Sequence, residues 1–267
     1  MKNIIIVPDI HGRTFWKKLK SVNVEDYDVI FLGDMCDVYQ FDRIKEDDAV
    51  NNFKEIIEFK KQYPNNVTLL LGNHDLEYFA GITSCRMDLK NKDEIKKLFT
   101  DNLVLFDIGC YREVNGKKYT FTHSCILKGW VDFVNKHFGD DLNFKKCDTV
   151  EKIIDKLNYM LHNNIEGISS CLNIISYERG GRFSYGSPVW AHWNEIDNYG
   201  YEYDGYYQVF GHSLQFSREM IDEINTVGYT DKIAEPIITD WFACLDCKQL
   251  FTIFVSRKPM LFSLGMN

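Results

Sequence analysis

A chain of 267 residues has room for one large α/β domain or two small ones, and it can bury a core without disulfides or other staples. Its formal net charge of −8, with no Lys/Arg block, offers no basic surface to nucleic acid or to a membrane, so neither is expected as a partner. Eight cysteines (Cys36, Cys85, Cys110, Cys125, Cys147, Cys171, Cys244 and Cys247) stand at no framework spacing, the lone Cys244-x-x-Cys247 pair lacks the second pair of a zinc site, and no secretory signal accompanies them; reduced thiols in a cytoplasmic protein are expected.

Residues 3 to 7 read as a fully buried strand that runs into Pro8-Asp9-Ile10-His11-Gly12, an apolar stretch too short for a signal sequence or a membrane span. A short helix follows, with Phe15, Trp16 and Leu19 on its inner face. Tyr27 to Leu32 is a second strand, broken by Gly33, and it delivers Asp34 and Asp37. Asp47-Asp48 can cap a helix to Gln62 that buries Val50, Phe53, Ile56 and Ile57, with Pro64 just past its end. Val67 to Leu71 is a third strand and delivers Asn73 and His74. This β-α-β-α-β opening predicts parallel strands.

Farther on, Asp93 to Thr100 reads as a short helix and Leu103 to Ile108 as a strand. Cys110 to Val114 and Lys117 to Thr122 flank Asn115-Gly116, a strong hairpin signal, and the second of these strands ends in Thr122-His123-Ser124. A helical insertion is expected at about 126–165, where Asp148-Thr149-Val150-Glu151 suits a helix start and Val150, Ile153, Ile154, Leu157 and Leu161 make one apolar face. Residues 176 to 204 read as a long functional loop. Tyr207 to Phe210 is a strand ending in Gly211-His212, and Ile237 to Val255 reads as two strands around Asp246-Cys247-Lys248. No internal repeat and no domain boundary stands out.

Apolar runs that each end in Asp, His or Asn point to one shared site at one sheet edge, since open α/β sheets bind ligands past the carboxyl ends of their strands. Carboxylate, imidazole and amide oxygen suit divalent metals. One carboxylate has two oxygens and can touch two ions, and that bridge is assigned to Asp34.

The ordered set Asp9-x-His11, Gly33-Asp34-x-x-Asp37, Gly72-Asn73-His74-Asp75, Thr122-His123 and Gly211-His212 closely resembles the calcineurin-like metallophosphoesterases, and within them the Ser/Thr protein phosphatases with their bacterial and phage relatives. The resemblance spans roughly residues 3 to 255 and implies an α/β fold: a sandwich of two mixed β-sheets face to face, flanked by helices, with residues 1–267 as a single domain. It implies that Asp9 and His11 bind a first metal, that Asp34 bridges, and that Asn73, His123 and His212 complete a second, with manganese, iron and zinc all suitable. Two such ions about 3.5 to 4 Å apart share a water and lower its pKa, so that a metal-bound hydroxide attacks phosphorus. His74 is then the general acid and Asp37 holds its imidazole, raising its pKa and keeping it protonated.

Some positions depart from the family pattern. The phosphatase signature continues Gly-Asp-x-x-Asp-Arg-Gly, whereas Asp37 is followed here by Val38-Tyr39, so the Arg that would grip the phosphate is missing. The family Glu after the catalytic His is Asp75, and Gly211-His212-Ser213-Leu214 lacks the final His of Gly-His-x-His, as in the phosphatase branch. Arg13, Arg179, Arg182 and His192 are candidates for the missing clamp. The expected activity is hydrolysis of a phosphomonoester, phosphoserine or phosphothreonine in a protein being first choice. The alternatives are a dinucleoside polyphosphate or other small phosphoester, a nucleic-acid phosphodiester, and a catalytically silent metal-binding interaction protein.

Overall fold

The computed structural model describes residues 2–139, 147–199, 205–253 and 261–263. The first three strands are covered on both faces. In β1 (Asn3–Val7), Ile4 and Ile6 join one apolar cluster and Ile5 and Val7 another, because successive strand residues point to opposite sides. β2 (Tyr27–Phe31) divides the same way, Ile30 against Val29 and Phe31, and β3 (Val67–Leu70) sends Leu70 and Leu69 apart. A strand apolar on both faces has to be sandwiched, which is why these stretches read as unbroken runs and not as alternation.

β1, β2 and β3 lie side by side and parallel, and β4 (Phe106–Asp107) extends them in the same direction. On the far side of β1 come β10 (Phe251–Ile253) and β11 (Leu261–Ser263), both antiparallel to their neighbours. The second sheet has the order β5 (Gly109–Val114), β6 (Lys117–Thr122), β7 (Tyr206–Phe210), β9 (Phe242–Cys244), β8 (Ile237–Ile238). Its inner strands β6, β7 and β9 are parallel, and its two edges are antiparallel. Tyr119, Phe121, Tyr207, Val209 and Ala243 of this sheet share one cluster with Ile4, Ile6, Ile30 and Leu70 of the first. The architecture is therefore a sandwich of two mixed sheets, flanked by helices.

The helices outside are α1 (Glu46–Gln62), α2 (Asn73–Ala80), α3 (Lys92–Asp101), α4 (Lys128–Phe138), α5 (Val150–Asn163), α6 (Ile165–Leu172), α7 (Ile196–Tyr199) and α8 (Arg218–Val227). Helix α1 buries Val50, Phe53, Ile56 and Ile57, and α5 buries Val150, Ile153, Ile154, Leu157 and Leu161, the faces their spacing predicts. None of the helices among the described residues is long and apolar enough to cross a membrane. All eight cysteines are unbridged.

Several local expectations need correction. The helix after β1 is a 3₁₀ helix, Phe15–Ser21; it buries Trp16 and Leu19, a spacing of three that this tighter helix stacks on one side. Helix α1 starts from Lys45 without a side-chain cap, and Glu46, Asp47 and Asp48 instead lie in its first turn, where the helix dipole favours them. In α5 the capping oxygen belongs to Thr149, which accepts from Lys152 N, while Asp148 pairs with the Lys152 ammonium. The strand at 103–108 shrinks to β4 behind a 3₁₀ turn at Leu103–Leu105. The two tail strands around Asp246 belong to different sheets, so the chain crosses the sandwich between them. Residues 140–146 of the expected insertion and 200–204 of the expected loop lie outside the described residues. The Asn115-Gly116 turn has φ of 52° and 77°, both positive as a two-residue hairpin requires.

Candidate metal centre

Five connections meet at one end of the sandwich. The turns after β1, β2 and β3 carry Asp9, His11, Asp34, Asp37, Asn73 and His74, and those after β6 and β7 carry His123 and His212. Backbone bonds fasten the first two turns together: Ile10, His11 and Gly12 N–H donate to the carbonyls of Gly33, Asp34 and Met35 at 3.3, 2.6 and 3.1 Å. The Asp75 carboxylate, at the start of α2, accepts from the N–H groups of Gly72 (2.9 Å), Asp34 (2.7 Å) and Met35 (2.8 Å), which clasps the second turn to the third. His212 N–H donates to Asp9 Oδ2 at 2.8 Å, which joins the two sheets, and within the second sheet Gly211 N–H donates to the His123 carbonyl at 2.9 Å.

The backbone is forced into unusual shapes here. His11 (φ 45°), Asp34 (53°), Asp37 (54°) and His212 (66°) are four of the six non-glycine residues with positive φ among the described residues. Each such conformation costs on the order of 1–3 kcal/mol and persists only where surrounding contacts over-determine it. Glycine supplies close approach as well. A Cβ at Gly72 would lie 2.0 Å from Asp34 Oδ1, and one at Gly211 would lie 1.8 Å from Asp9 Oδ1.

Among the described residues, three groups of side chains could hold a metal ion: Asp9–His11–Asp34 and Asp34–His123–His212, which share Asp34, and Asp37–His74–Glu77 beside them. Asp34 Oδ2 stands 3.3 Å from His11 Nε2 and 3.4 Å from His123 Nε2. His123 Nε2 also lies 3.0 Å from Asn73 Oδ1 and 3.2 Å from His212 Nδ1. The tautomers decide what these contacts mean. His123 Nδ1 faces the Leu32 carbonyl at 2.8 Å, and His11 Nδ1 faces the carbonyls of Cys36 and Asp37 at 3.2 and 3.1 Å. A carbonyl only accepts, so both protons sit on Nδ1 and both Nε2 atoms present lone pairs to a carboxylate. Burial, with Arg86 and Arg13 nearby, holds His11 well below the ordinary histidine range; burial takes His123 down to about 3 and His212 well below the usual value. Burial and the neighbouring carboxylates push Asp9 and Asp34 up. Asp9 Oδ1 is buried with no hydrogen-bond partner among the described residues. Neutral imidazoles and carboxylates that crowd their acceptor atoms together, out of water, fit a divalent cation and little else.

His74 lies beside this cluster, its ring 5.4 Å from that of His11. Its Nδ1 meets Asp37 Oδ2 at 2.8 Å, while Asp37 Oδ1 accepts from the Tyr78 hydroxyl and from Asp88 N–H (3.1 Å). The expected rise in the His74 pKa does not follow. Burial lowers it, the Asp37 hydrogen bond works against that, and Arg86 adds to the lowering, so the net shift is downward. Arg86 Nη2 sits 3.1 Å from His74 Nε2, and a guanidinium only donates, so Nε2 is an acceptor and the ring is neutral.

The four expected clamp residues separate. Arg179 reaches the cluster: its Nη2 donates to the His212 carbonyl at 2.9 Å and to Ser213 Oγ. Arg13 is 5% exposed, its Nε on Asp42 at 2.7 Å and its Nη1 3.5 Å from the Asp9 carbonyl and 4.0 Å from Asp246, with Nη2 buried and without a hydrogen-bond partner among the described residues. His192 is part of the turn Trp193–Glu195, which it starts, with Nδ1 2.6 Å from Asn194 Oδ1. Arg182 is exposed on the loop after the Tyr177–Arg179 turn. The sequence reading passed over Arg86, which donates to the Asp37 carbonyl at 2.9 Å, touches His74 and stacks on the Tyr39 ring with its carbon 3.6 Å from the centroid. No motif marks Thr83-Ser84-Cys85-Arg86-Met87; its place a few residues past α2 is the one available signal.

No protein-family model matches the chain, and no curated protein does. Solved structures similar to it include a cold-active protein-tyrosine phosphatase of a psychrophilic Shewanella species, at 15% identity and a TM-score of 0.48, covering 99% of this chain and 81% of that one. A second structure of a cold-active protein tyrosine phosphatase aligns at 16% identity and a TM-score of 0.44, over 99% and 79%. A Saccharomyces cerevisiae protein serine/threonine phosphatase with similarity to human phosphatase PP5 aligns at 13% identity and a TM-score of 0.48, over 98% and 79%. Likenesses this distant say nothing of chemistry, which rests on the side chains described above.

Proposed function

We propose that this chain is a metal-dependent phosphoesterase that hydrolyses phosphomonoesters, with phosphoserine or phosphothreonine in a protein as the first substrate class to test. The observation that carries the reading is the membership of Asp34 in two adjoining candidate ion groups, with the His74–Asp37 pair beside them. Asp9, His11 and Asp34 would hold one ion, and Asp34, Asn73, His123 and His212 the other. When bound, such ions neutralise phosphate charge and make water a nucleophile near neutral pH.

The remaining work falls to the protein. Asp34 fixes the spacing of the two groups because one rigid carboxylate serves both. Phosphate esters leave as alkoxides, poor leaving groups without a proton. His74, neutral at rest, takes a proton from solvent at Nε2 once Arg86 has moved off and supplies it: a water oxygen forms the new P–O bond and gives up its own proton to solvent, the ester P–O bond breaks, and the departing oxygen takes the Nε2 proton. Asp37, at 2.8 Å from Nδ1, favours the imidazolium this step consumes and keeps the ring aimed. The ester has to displace Arg86 from Nε2 first.

Protein loaded with manganese is expected to turn over p-nitrophenyl phosphate faster than the bis-p-nitrophenyl diester. No turnover of either at any pH sinks the enzyme reading, and a strong diester preference overturns the monoester choice. His74→Asn should keep its metal by elemental analysis and lose about 10²- to 10⁴-fold in rate, most for basic leaving groups. Loss of metal in that variant would reassign His74 to the cage.

A further inference from the structure

We infer that Arg86 grips the non-bridging oxygens of the substrate phosphate, in place of the arginine that the sequence lacks after Asp37, and that Tyr39 keeps its guanidinium in position. This deepens the phosphoesterase reading and rests on it. The starting point is where the guanidinium sits. Its Nη2 is 3.1 Å from His74 Nε2, the nitrogen that has to meet the leaving oxygen. A phosphorus atom bonded to that oxygen lies one bond farther on, so its other oxygens fall within a small swing of Arg86. The swing need not break the anchor, because Nη1 is held separately by the Asp37 carbonyl at 2.9 Å.

The chemistry of the group suits the task. Arginine carries five N–H donors in a planar fork that matches phosphate, and two donor nitrogens are used here on the protein itself. The guanidinium carbon lies over the Tyr39 ring, 3.6 Å from its centroid, and that ring also meets His11 edge-on at 4.7 Å, so one aromatic side chain touches both the guanidinium and the candidate ion group. Arg13, nearer in sequence to the first motif, is 5% exposed with its Nε held by Asp42, whereas Arg86 is more open. Arg86 is half-buried, in a loop that a ligand can reach. A dianionic monoester exposes one more charged oxygen than a diester, so a cation beside His74 favours the monoester.

Calorimetric titration of inorganic phosphate into manganese-loaded protein tests this without requiring turnover. Arg86→Ala should weaken phosphate binding about tenfold to hundredfold, with Arg86→Lys in between and metal content unchanged in both. In the wild-type protein, phosphate should slow the reaction of Arg86 with phenylglyoxal, read by mass spectrometry of its peptide. If p-nitrophenyl phosphate is hydrolysed, Arg86→Ala should raise KM more than it lowers kcat, and added guanidinium should restore part of the loss. Unchanged phosphate affinity in Arg86→Ala, or no protection of Arg86 by phosphate, overturns the assignment and leaves Arg86 as a tie between its loop and Asp37. A wild-type protein that binds phosphate through Arg86 yet turns nothing over keeps this inference and removes the enzyme reading.

Discussion

Gly72 and Gly211 are small because a carboxylate oxygen occupies the space where their side chains would begin, 2.0 Å and 1.8 Å away. A methyl group at either place must displace Asp34 or Asp9, and neither can retreat into its own buried surroundings. Gly72→Ala and Gly211→Ala should therefore reduce bound metal severalfold at limiting manganese, while the fold, read by far-ultraviolet dichroism, persists. Full metal occupancy in both variants would mean that the two carboxylates do not form the cage. The ligand-type residues were legible in the sequence because each motif follows an apolar run and, except at Thr122-His123, a glycine or proline break. Their positive φ angles were not, since aspartate and histidine enter that region more often than other non-glycine residues but still rarely, so residue type alone does not mark His11, Asp34, Asp37 and His212. Arg86 was invisible for another reason: it reaches His74 through folding of an unpatterned loop, and its partner Asp37 lies far off in sequence.

Among the elements, the short helix α2 does the most positional work. Its first turn carries Asn73, His74 and Asp75, and Asp75 alone accepts from three backbone N–H groups on two different turns. An amide has only one accepting oxygen, so Asp75→Asn leaves at least one buried N–H without a partner and sets an NH2 against another. The expected loss is about 1–3 kcal/mol in a denaturant melt, with weaker metal binding because Asp34 is no longer held from behind. An Asp75→Asn protein of unchanged stability and metal affinity would show that the clasp is dispensable. Helix α2 escaped the sequence reading because it begins inside the motif itself. Helix α8 went unread although Met220, Ile221, Ile224 and Val227 stand at helical spacing, and of these only Met220 is buried, whereas α1 and α5 bury full stripes and were readable residue by residue. The sheet pairing of the tail lay beyond reach, since β9 and β10 differ in partner and not in composition.

At the scale of the whole molecule, the candidate centre is where the two sheets are tied at their strand ends. Asp9, from the first strand of one sheet, accepts from His212 N–H, 203 residues later and in the other. His123 reaches back to the Leu32 carbonyl in the same way. Ions bound among these side chains would bind the folded chain and not the unfolded one, so their binding energy adds to folding stability. At an ion concentration 100 times the dissociation constant, the gain is about 2.7 kcal/mol per site. For a chain of this size a stabilisation of that order raises the melting temperature by roughly 5–10 °C. Removal also leaves Asp9 and Asp34 as buried carboxylates with no cation to face, a state that burial already disfavours. A chelator that empties both sites is therefore expected to lower the melting temperature of the protein by roughly 10–20 °C, and manganese to restore it. Asp34→Asn, which removes the charge common to both groups, should melt at the lower temperature with or without chelator and should lose metal and activity together. Identical melting of the untreated and chelated wild-type protein would mean that no ion links the sheets, and the reading of the centre as a metal cage would fall with it.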